Sequence, residues 1–382
     1  MTGTRRDILY LSGTRADFGL MRHTLRAIAA HPRLRLGIAA CGMHLEAAFG
    51  HTVDEIEAAG LPLVARIATD VASRDRAGMA RAVAQTLLGV TAQLERERPD
   101  LLLLLGDRGE MLAGAIAALH LGVPSVHLHG GERSGTVDEP MRHAISKLAT
   151  WHFAATEQSR ERLIAMGEEP SRVFVVGAPG LDDIAAARQS PRTSTLQALG
   201  VDGTRPYVLV LFHPVVQQAE QAAAQTAALL QGLLDAGAGR DFDVVWLAPN
   251  ADAGSAAVLQ QLEQLPGQWR RHAHLPRDLY LGALRAAAAL LGNSSSGIIE
   301  AASFGTPVVN VGLRQHLRER NAGTVDVEAR ADAIASALRA ALTHSRIEAR
   351  NVYGDGDSAQ RIAARLAELP LDDALLLKTN RY

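Results

Sequence analysis

The chain has 382 residues, 47% apolar and 21% charged, which suits a packed globular protein of two domains rather than one. A formal charge of −2 leaves no basic excess, which argues against nucleic acid as the main partner, so any bound anion must be held by local groups. Cys41 is the only cysteine, which excludes an internal disulfide and a cysteine-based zinc site, and no run reaches the roughly 18 apolar residues of a membrane span.

The N-terminal stretch carries a basic pair, but its apolar run is short and is interrupted by Asp7. It reads as a first strand rather than a leader, and the cytoplasm is the expected location. Further on, Ile8–Ser12, Leu34–Cys41, Leu101–Leu105, Ser125–Leu128, His152–Ala155 and Val173–Val176 read as buried strands. Helical patterns lie between them at Gly19–Ala30, Ala77–Arg96 and Gly109–Leu119. Strand–helix alternation with continuous apolar strands predicts a parallel sheet covered on both faces.

A stretch rich in Ser, Thr, Arg, Gly and Pro, Ala187–Pro206, separates a second series. Its strands are expected near Tyr207–Phe212, Val244–Ala248, Ala288–Gly292 and Val308–Val311. Its helices are expected near Gln217–Leu234, Ala256–Leu265, Arg277–Ala286 and Ile298–Phe304. The fold class predicted is α/β, two doubly wound, Rossmann-like parallel-sheet domains facing a cleft, at residues 1–190 and 191–357. A last helix, near Ser358–Leu369 in the segment 358–382, is expected to pack back on the first domain.

The polar motifs fall at strand ends. Ser12-Gly13-Thr14-Arg15-Ala16-Asp17 follows the first strand, where a tight turn, free N–H groups and Arg15 suit a phosphate; equally, Asp17 caps the helix and Arg15 is solvated. Asp107, in Gly106-Asp107-Arg108, follows five leucines and is a base, a hydroxyl partner or a helix cap. Next comes His127-Leu128-His129-Gly130-Gly131-Glu132, with Asp138 and Glu139 before a helix carrying Arg142 and His143. Alternation would put His127 and His129 on one face, which raises zinc, but two glycines fit a backbone bending round a ligand better, and neither metal nor cofactor is expected. Three carboxylates with imidazoles suit proton transfer.

In the second half, His213 precedes Pro214 at a strand tip. The loop Gly292-Asn293-Ser294-Ser295-Ser296-Gly297 then opens a helix, with Glu300 one turn in and Arg314 after the next strand. Hydroxyls and first-turn N–H groups suit a pyrophosphate, and Glu300 suits a ribose diol. Simple serine capping accounts for one serine, not three.

Taken together, Gly13–Asp17, Gly106–Arg108, His127–Glu132, Asp138 with Arg142–Lys147, and Gly292–Glu300 resemble, in order and spacing, the UDP-N-acetylglucosamine 2-epimerases. The resemblance spans about residues 7–327 and is to the bacterial hydrolysing branch that feeds sialic and legionaminic acid synthesis. It implies a fold like the B-type glycosyltransferases, a homodimer, and a UDP-sugar substrate epimerised at C2 with release of UDP through a 2-acetamidoglucal. It further implies that Asp107, Glu132, Asp138 and His213 are catalytic. Arg15, Arg108, His129, Arg142, Asn293, Ser294, Ser295, Ser296, Glu300 and Arg314 would bind substrate. Some hydrolysing relatives carry a glutamate where this chain has His129, which leaves open whether Glu132 takes over its role. The alternatives are a non-hydrolysing epimerase, a glycosyltransferase, and a non-catalytic nucleotide-sugar sensor. The acidic residues at the strand ends argue against the last.

Overall fold

The computed structural model describes residues 5–73, 75–250, 252–344, 346 and 350–381. The chain divides into two compact units. Unit 1 holds residues up to Glu132, Asp138–Asp182 and the stretch from Tyr353 onward; unit 2 holds Arg133–Val137 and Asp183–Val352. The main segment of the second unit thus runs from Asp183 to Val352, where the sequence reading placed its limits at 191 and 357.

In unit 1 the elements run β1 (Arg6–Ser12), α1 (Arg15–Ala30), β2 (Leu34–Cys41), α2 (Val53–Ala58), β3 (Leu63–Ile67) and α3 (Arg76–Glu97). They continue with β4 (Leu101–Leu105), α4 (Gly109–His120), β5 (Ser125–Leu128), α5 (Asp138–Leu148), β6 (Trp151–Ala154), α6 (Glu157–Ala165) and β7 (Val173–Val175). Unit 2 runs α7 (Ile184–Gln189), α8 (Arg192–Leu199), β8 (Tyr207–Leu211), α9 (Ala222–Ala236), β9 (Asp243–Leu247), α10 (Ser255–Leu262) and β10 (Arg270–His272). It closes with α11 (Arg277–Ala286), β11 (Ala289–Gly292), α12 (Ser295–Ile299), β12 (Val308–Val311), β13 (Thr324–Val327) and α13 (Ala331–Thr343), before α14 (Ser358–Glu368) returns to unit 1.

Among the described residues each unit is built on one parallel sheet. The orders are β3-β2-β1-β4-β5-β6-β7 and β10-β9-β8-β11-β12-β13. Both reverse direction at their first strand, the topology whose strand ends carry ligands in doubly wound folds. β4 shows why five leucines in a row make a strand here. Leu101, Leu103 and Leu105 join the core under α1 and α14, whereas Leu102 and Leu104 join the core on the opposite face with Met111 and Ala115 of α4. Both faces are covered, so alternation vanishes from the sequence. Unit 2 repeats this around Trp246, Phe242 and Leu229. α14 sets Ile362 and Leu366 into the first core, and Arg6 Nη1 donates to the carbonyls of Leu366 (2.9 Å) and Leu369 (2.6 Å) at its end. Among the described residues no helix is long and apolar enough to cross a membrane.

Candidate active site

The loop after β1 is held by a buried carboxylate. Thr14 and Asp17 form a capping box on α1, and Asp17 accepts from the backbone N–H of Gly13 (2.9 Å) and Thr14 (2.7 Å), from Tyr10 Oη (3.1 Å) and from Ser12. Ser12 Oγ also meets His44 Nε2 at 2.8 Å, and His44 Nδ1 meets Thr52 Oγ1 at 2.9 Å. Burial pushes the Asp17 carboxyl up and the His44 ring down. Arg15 is not a solvated arginine. Its Nε pairs with Glu55 at 2.7 Å, it is 14% exposed, and its two Nη atoms have no hydrogen-bond partner among the described residues.

Asp107 is not the cap of α4: that position is Arg108, which makes no side-chain cap bond and instead donates from Nε to Glu110 at 3.3 Å. Asp107 pairs with Arg142, which is buried on α5 and also donates from Nη1 to the carbonyl of Glu132 at 3.0 Å. One guanidinium therefore ties the end of β4 to the glycine loop after β5.

A shared face for His127 and His129 required the strand to reach His129, but β5 ends at Leu128 and His129 turns into the left-handed region at φ 62°. His127 is fully buried and structural: Nε2 donates to the Gly106 carbonyl at 2.7 Å, Nδ1 faces Ser146 Oγ at 2.9 Å, and burial pushes the ring down to about 3. His129 Nδ1 instead meets Glu132 Oε1 at 2.5 Å, with Glu132 only 3% exposed. Gly131 is required here. Its φ is +79°, and a Cβ would sit 2.2 Å from the Ser159 carbonyl oxygen. Asp138 opens α5 with Glu139 beside it, a favourable end for negative charge.

In unit 2, His213 is clamped by Asn293, whose Oδ1 accepts from the His213 N–H and whose Nδ2 donates to its carbonyl, both at 2.8 Å. The backbone N–H of Asn250 donates to His213 Nδ1 at 3.1 Å, which puts the proton of the neutral ring on Nε2. Gly292 lets this loop form: at φ +140°, a Cβ would meet the Leu211 carbonyl oxygen at 1.9 Å.

The serine loop differs from expectation in two ways. The helix is shorter, a five-residue α12 followed by a 3-10 turn at Ala301–Phe304, so its N–H groups count rather than a macrodipole. The three hydroxyls are also not alike. Ser294 caps α12, accepting from the Ser296 N–H at 3.4 Å, while Ser296 Oγ is committed to Glu300 and Tyr280. Ser295, half-buried, carries no such bond among the described residues. Glu300 is 2% exposed and paired with Arg277, whose Nε also donates to Asp183 at 3.1 Å. Arg314 Nη1 donates to the Asn293 carbonyl at 3.3 Å.

The structure adds residues that the motifs did not single out: His44, Asn250, Arg277 and Tyr280. Arg277 and Tyr280 lie three apart on α11, a spacing that marks one helix face, but nothing in sequence links that face to Glu300.

The comparisons with known proteins concern the chain as a whole. The family model for UDP-N-acetylglucosamine 2-epimerase matches residues 26–367. The chain is 45% identical over 379 residues to the UDP-N,N'-diacetylbacillosamine 2-epimerase (hydrolyzing) of Legionella pneumophila subsp. pneumophila, covering 99% of this chain and 100% of that one. It is 30% identical to the UDP-N-acetylglucosamine 2-epimerase of Neisseria meningitidis serogroup B, covering 92% and 91%. A solved Methanocaldococcus jannaschii UDP-GlcNAc 2-epimerase, in complex with UDP-GlcNAc and UDP, shares the fold at TM-score 0.80 and 17% identity, covering 95% and 99%. On these matches, the chain belongs to the UDP-N-acetylglucosamine 2-epimerase family.

Proposed function

We propose that this chain acts on the UDP-2,4-diacetamido-2,4,6-trideoxy sugar of the bacillosamine type, inverting C2 and releasing UDP. It is a UDP-2-acetamido-sugar 2-epimerase of the hydrolysing kind; the choice of sugar is the finer step. One observation carries that choice: full-length identity of 45% to a relative named for that substrate, against 30% to one named for UDP-N-acetylglucosamine.

The reaction needs a base at C2, a leaving group stabilised at C1, then a proton on the opposite face of C2 and water at C1. Unit 1 supplies the acid–base groups in this reading. Asp107 takes the C2 proton as UDP departs, its carboxylate held in place by the ion pair with Arg142. Glu132 with His129, or Asp138, returns a proton to C2 and directs water to C1. Unit 2 supplies the groups for UDP. Ser294, Ser295 and Arg314 serve the diphosphate, and Glu300 and Ser296 serve the ribose. His213 Nε2–H, aligned by Asn293 and Asn250, donates to the departing phosphate oxygen. No step calls for a cofactor.

The protein works in the cytoplasm as a homodimer in this reading. An exposed row at every fourth residue of α3, Ala80, Ala84, Leu88 and Ala92, supports the second point, with Leu88 74% exposed. Leu88→Arg converts the dimer to a monomer on light scattering; a dimer that persists would rule this face out.

Proton NMR in D2O, with each of the two UDP sugars in turn, tests the function. Free UDP with deuterium at C2 of a 2-epimer, faster for the diacetamido sugar, is the expected result. A faster reaction with UDP-N-acetylglucosamine reverses the substrate choice, and a UDP-linked epimer points to the non-hydrolysing branch.

A further inference from the structure

The catalytic reading above places its acid–base groups around α5, yet what steadies α5 lies at the far end of the sequence. Asp138, Arg142 and Ser146 recur every four residues along this helix. They bring to one face the helix start, the partner of Asp107 and the partner of His127. The other end of α5 has no glycine cap. Instead, Lys378 Nζ donates to the carbonyls of Ser146 (2.9 Å), Lys147 (2.9 Å) and Ala149 (2.8 Å), the orphan acceptors of a helix terminus.

The ammonium is fixed in turn. Glu168 Oε2 lies 2.6 Å from Lys378 Nζ and 2.8 Å from His152 Nε2, and Glu168 Oε1 lies 2.8 Å from Lys147 Nζ. The neighbouring tail is tied down as well. Arg172 Nη1 donates to the Leu375 carbonyl at 2.9 Å, Arg381 N–H to the Gly167 carbonyl at 2.9 Å, and Lys147 to Asn380. A flexible lysine held by three carbonyls and a buried carboxylate is a designed anchor rather than a surface side chain.

We propose that Lys378 is a positioning residue for the epimerase reaction: it locks the last turn of α5, and through that helix the Arg142–Asp107 pair and the Ser146–His127 contact. It touches no substrate and leaves UDP binding alone. The inference rests on the reading that the α5 face is catalytic, so the test separates the two.

Lys378→Met, Lys378→Gln and Lys378→Arg are made in the full chain, with Arg381→Ala as a tail variant that has no contact with α5. Expected are kcat losses of about 30-fold for Met, fewer for Gln and under threefold for Arg, in the order of donors kept, with UDP affinity unchanged within twofold. Arg381→Ala keeps wild-type kcat. Hydrogen exchange of residues 142–149, measured without substrate, rises at least tenfold in the Met variant and reports the clamp whether or not the catalytic reading stands. If wild type releases no UDP while exchange still rises, the catalytic reading fails and the clamp survives. Unchanged exchange, kcat within twofold of wild type in the Met variant, or losses of kcat and UDP affinity in parallel would each overturn the proposal. If the Met variant does not fold, the Gln and Arg variants decide on the same criteria.

Discussion

The loops at the strand ends of the two units differ in kind. In unit 1 they gather charge: Asp107 against a buried Arg142, Glu132 against His129, Asp17 in a nest of donors. In unit 2 the half-buried part of the serine loop is neutral, and the charged residues around it, Asp183, Arg277 and Glu300, form a buried ion-paired chain. A group that moves a proton must itself titrate and be partly desolvated, whereas a group that holds a nucleotide needs only fixed donors and acceptors. The proposed roles follow this contrast: proton transfer is assigned to the titratable loops of unit 1 and the holding of UDP to the serine loop of unit 2.

The sharpest break of that contrast is Asp107→Asn, with Asp138→Asn beside it. Each is expected to lower kcat by about 10³-fold, the scale of general acid–base catalysis, while UDP affinity by calorimetry stays unchanged. Wild-type turnover in both Asn variants would remove the carboxylates from the mechanism. The reverse pattern belongs to Glu300→Ala: UDP should bind about tenfold more weakly, the scale of one charged hydrogen bond, with kcat at saturation little altered.

A smaller effect sharpens the comparison through pH. Burial alone would raise the Glu168 carboxyl, but His152, Lys147 and Lys378 hold it down to about 2 from 4.5, so its stabilisation is complete above 4.5 and is lost as pH falls toward 2. His127, pushed from 6.5 down to about 3, opposes folding increasingly as pH falls below 6.5. Both lie in unit 1, so thermal melts from pH 7 to 3 should show unit 1 failing first. Glu168→Gln should be less stable at pH 7 yet flatter below 4.5; an unchanged acid slope would exclude Glu168 as its source. Last and smallest, Thr14→Ala removes the α1 cap and should cost about 1 kcal/mol in denaturant unfolding.

Much of this was legible before any coordinates. Leu101–Leu105 announces a strand buried on both faces, and Arg277–Ala286 reads as a helix with the same limits the structure has. The strands that escaped, Leu63–Ile67, Arg270–His272 and Thr324–Val327, lie at or near sheet edges, where exposure lets Arg66, Arg271 and Asp326 break the apolar run. The acid–base candidates were visible because each lies between the end of a strand and the start of the helix that follows it. What each one touches was not: nothing local tells Asp107 from a cap, pairs Arg142 with it from 35 residues away, or gives Ser296 to Glu300 and Tyr280. Long-range partners of polar groups are chosen by topology, which short motifs do not encode.

The lone thiol of Cys41 has a practical consequence. It is fully buried at the end of β2, its Sγ donates to the Ser12 carbonyl at 3.4 Å, and burial raises it well above the usual thiol range. The native enzyme should therefore be indifferent to mild oxidants and maleimides. Any cysteine introduced on the surface becomes the single reactive handle on the molecule, so dyes, spin labels or crosslinkers can be attached to the wild-type background without first removing a competing sulfur.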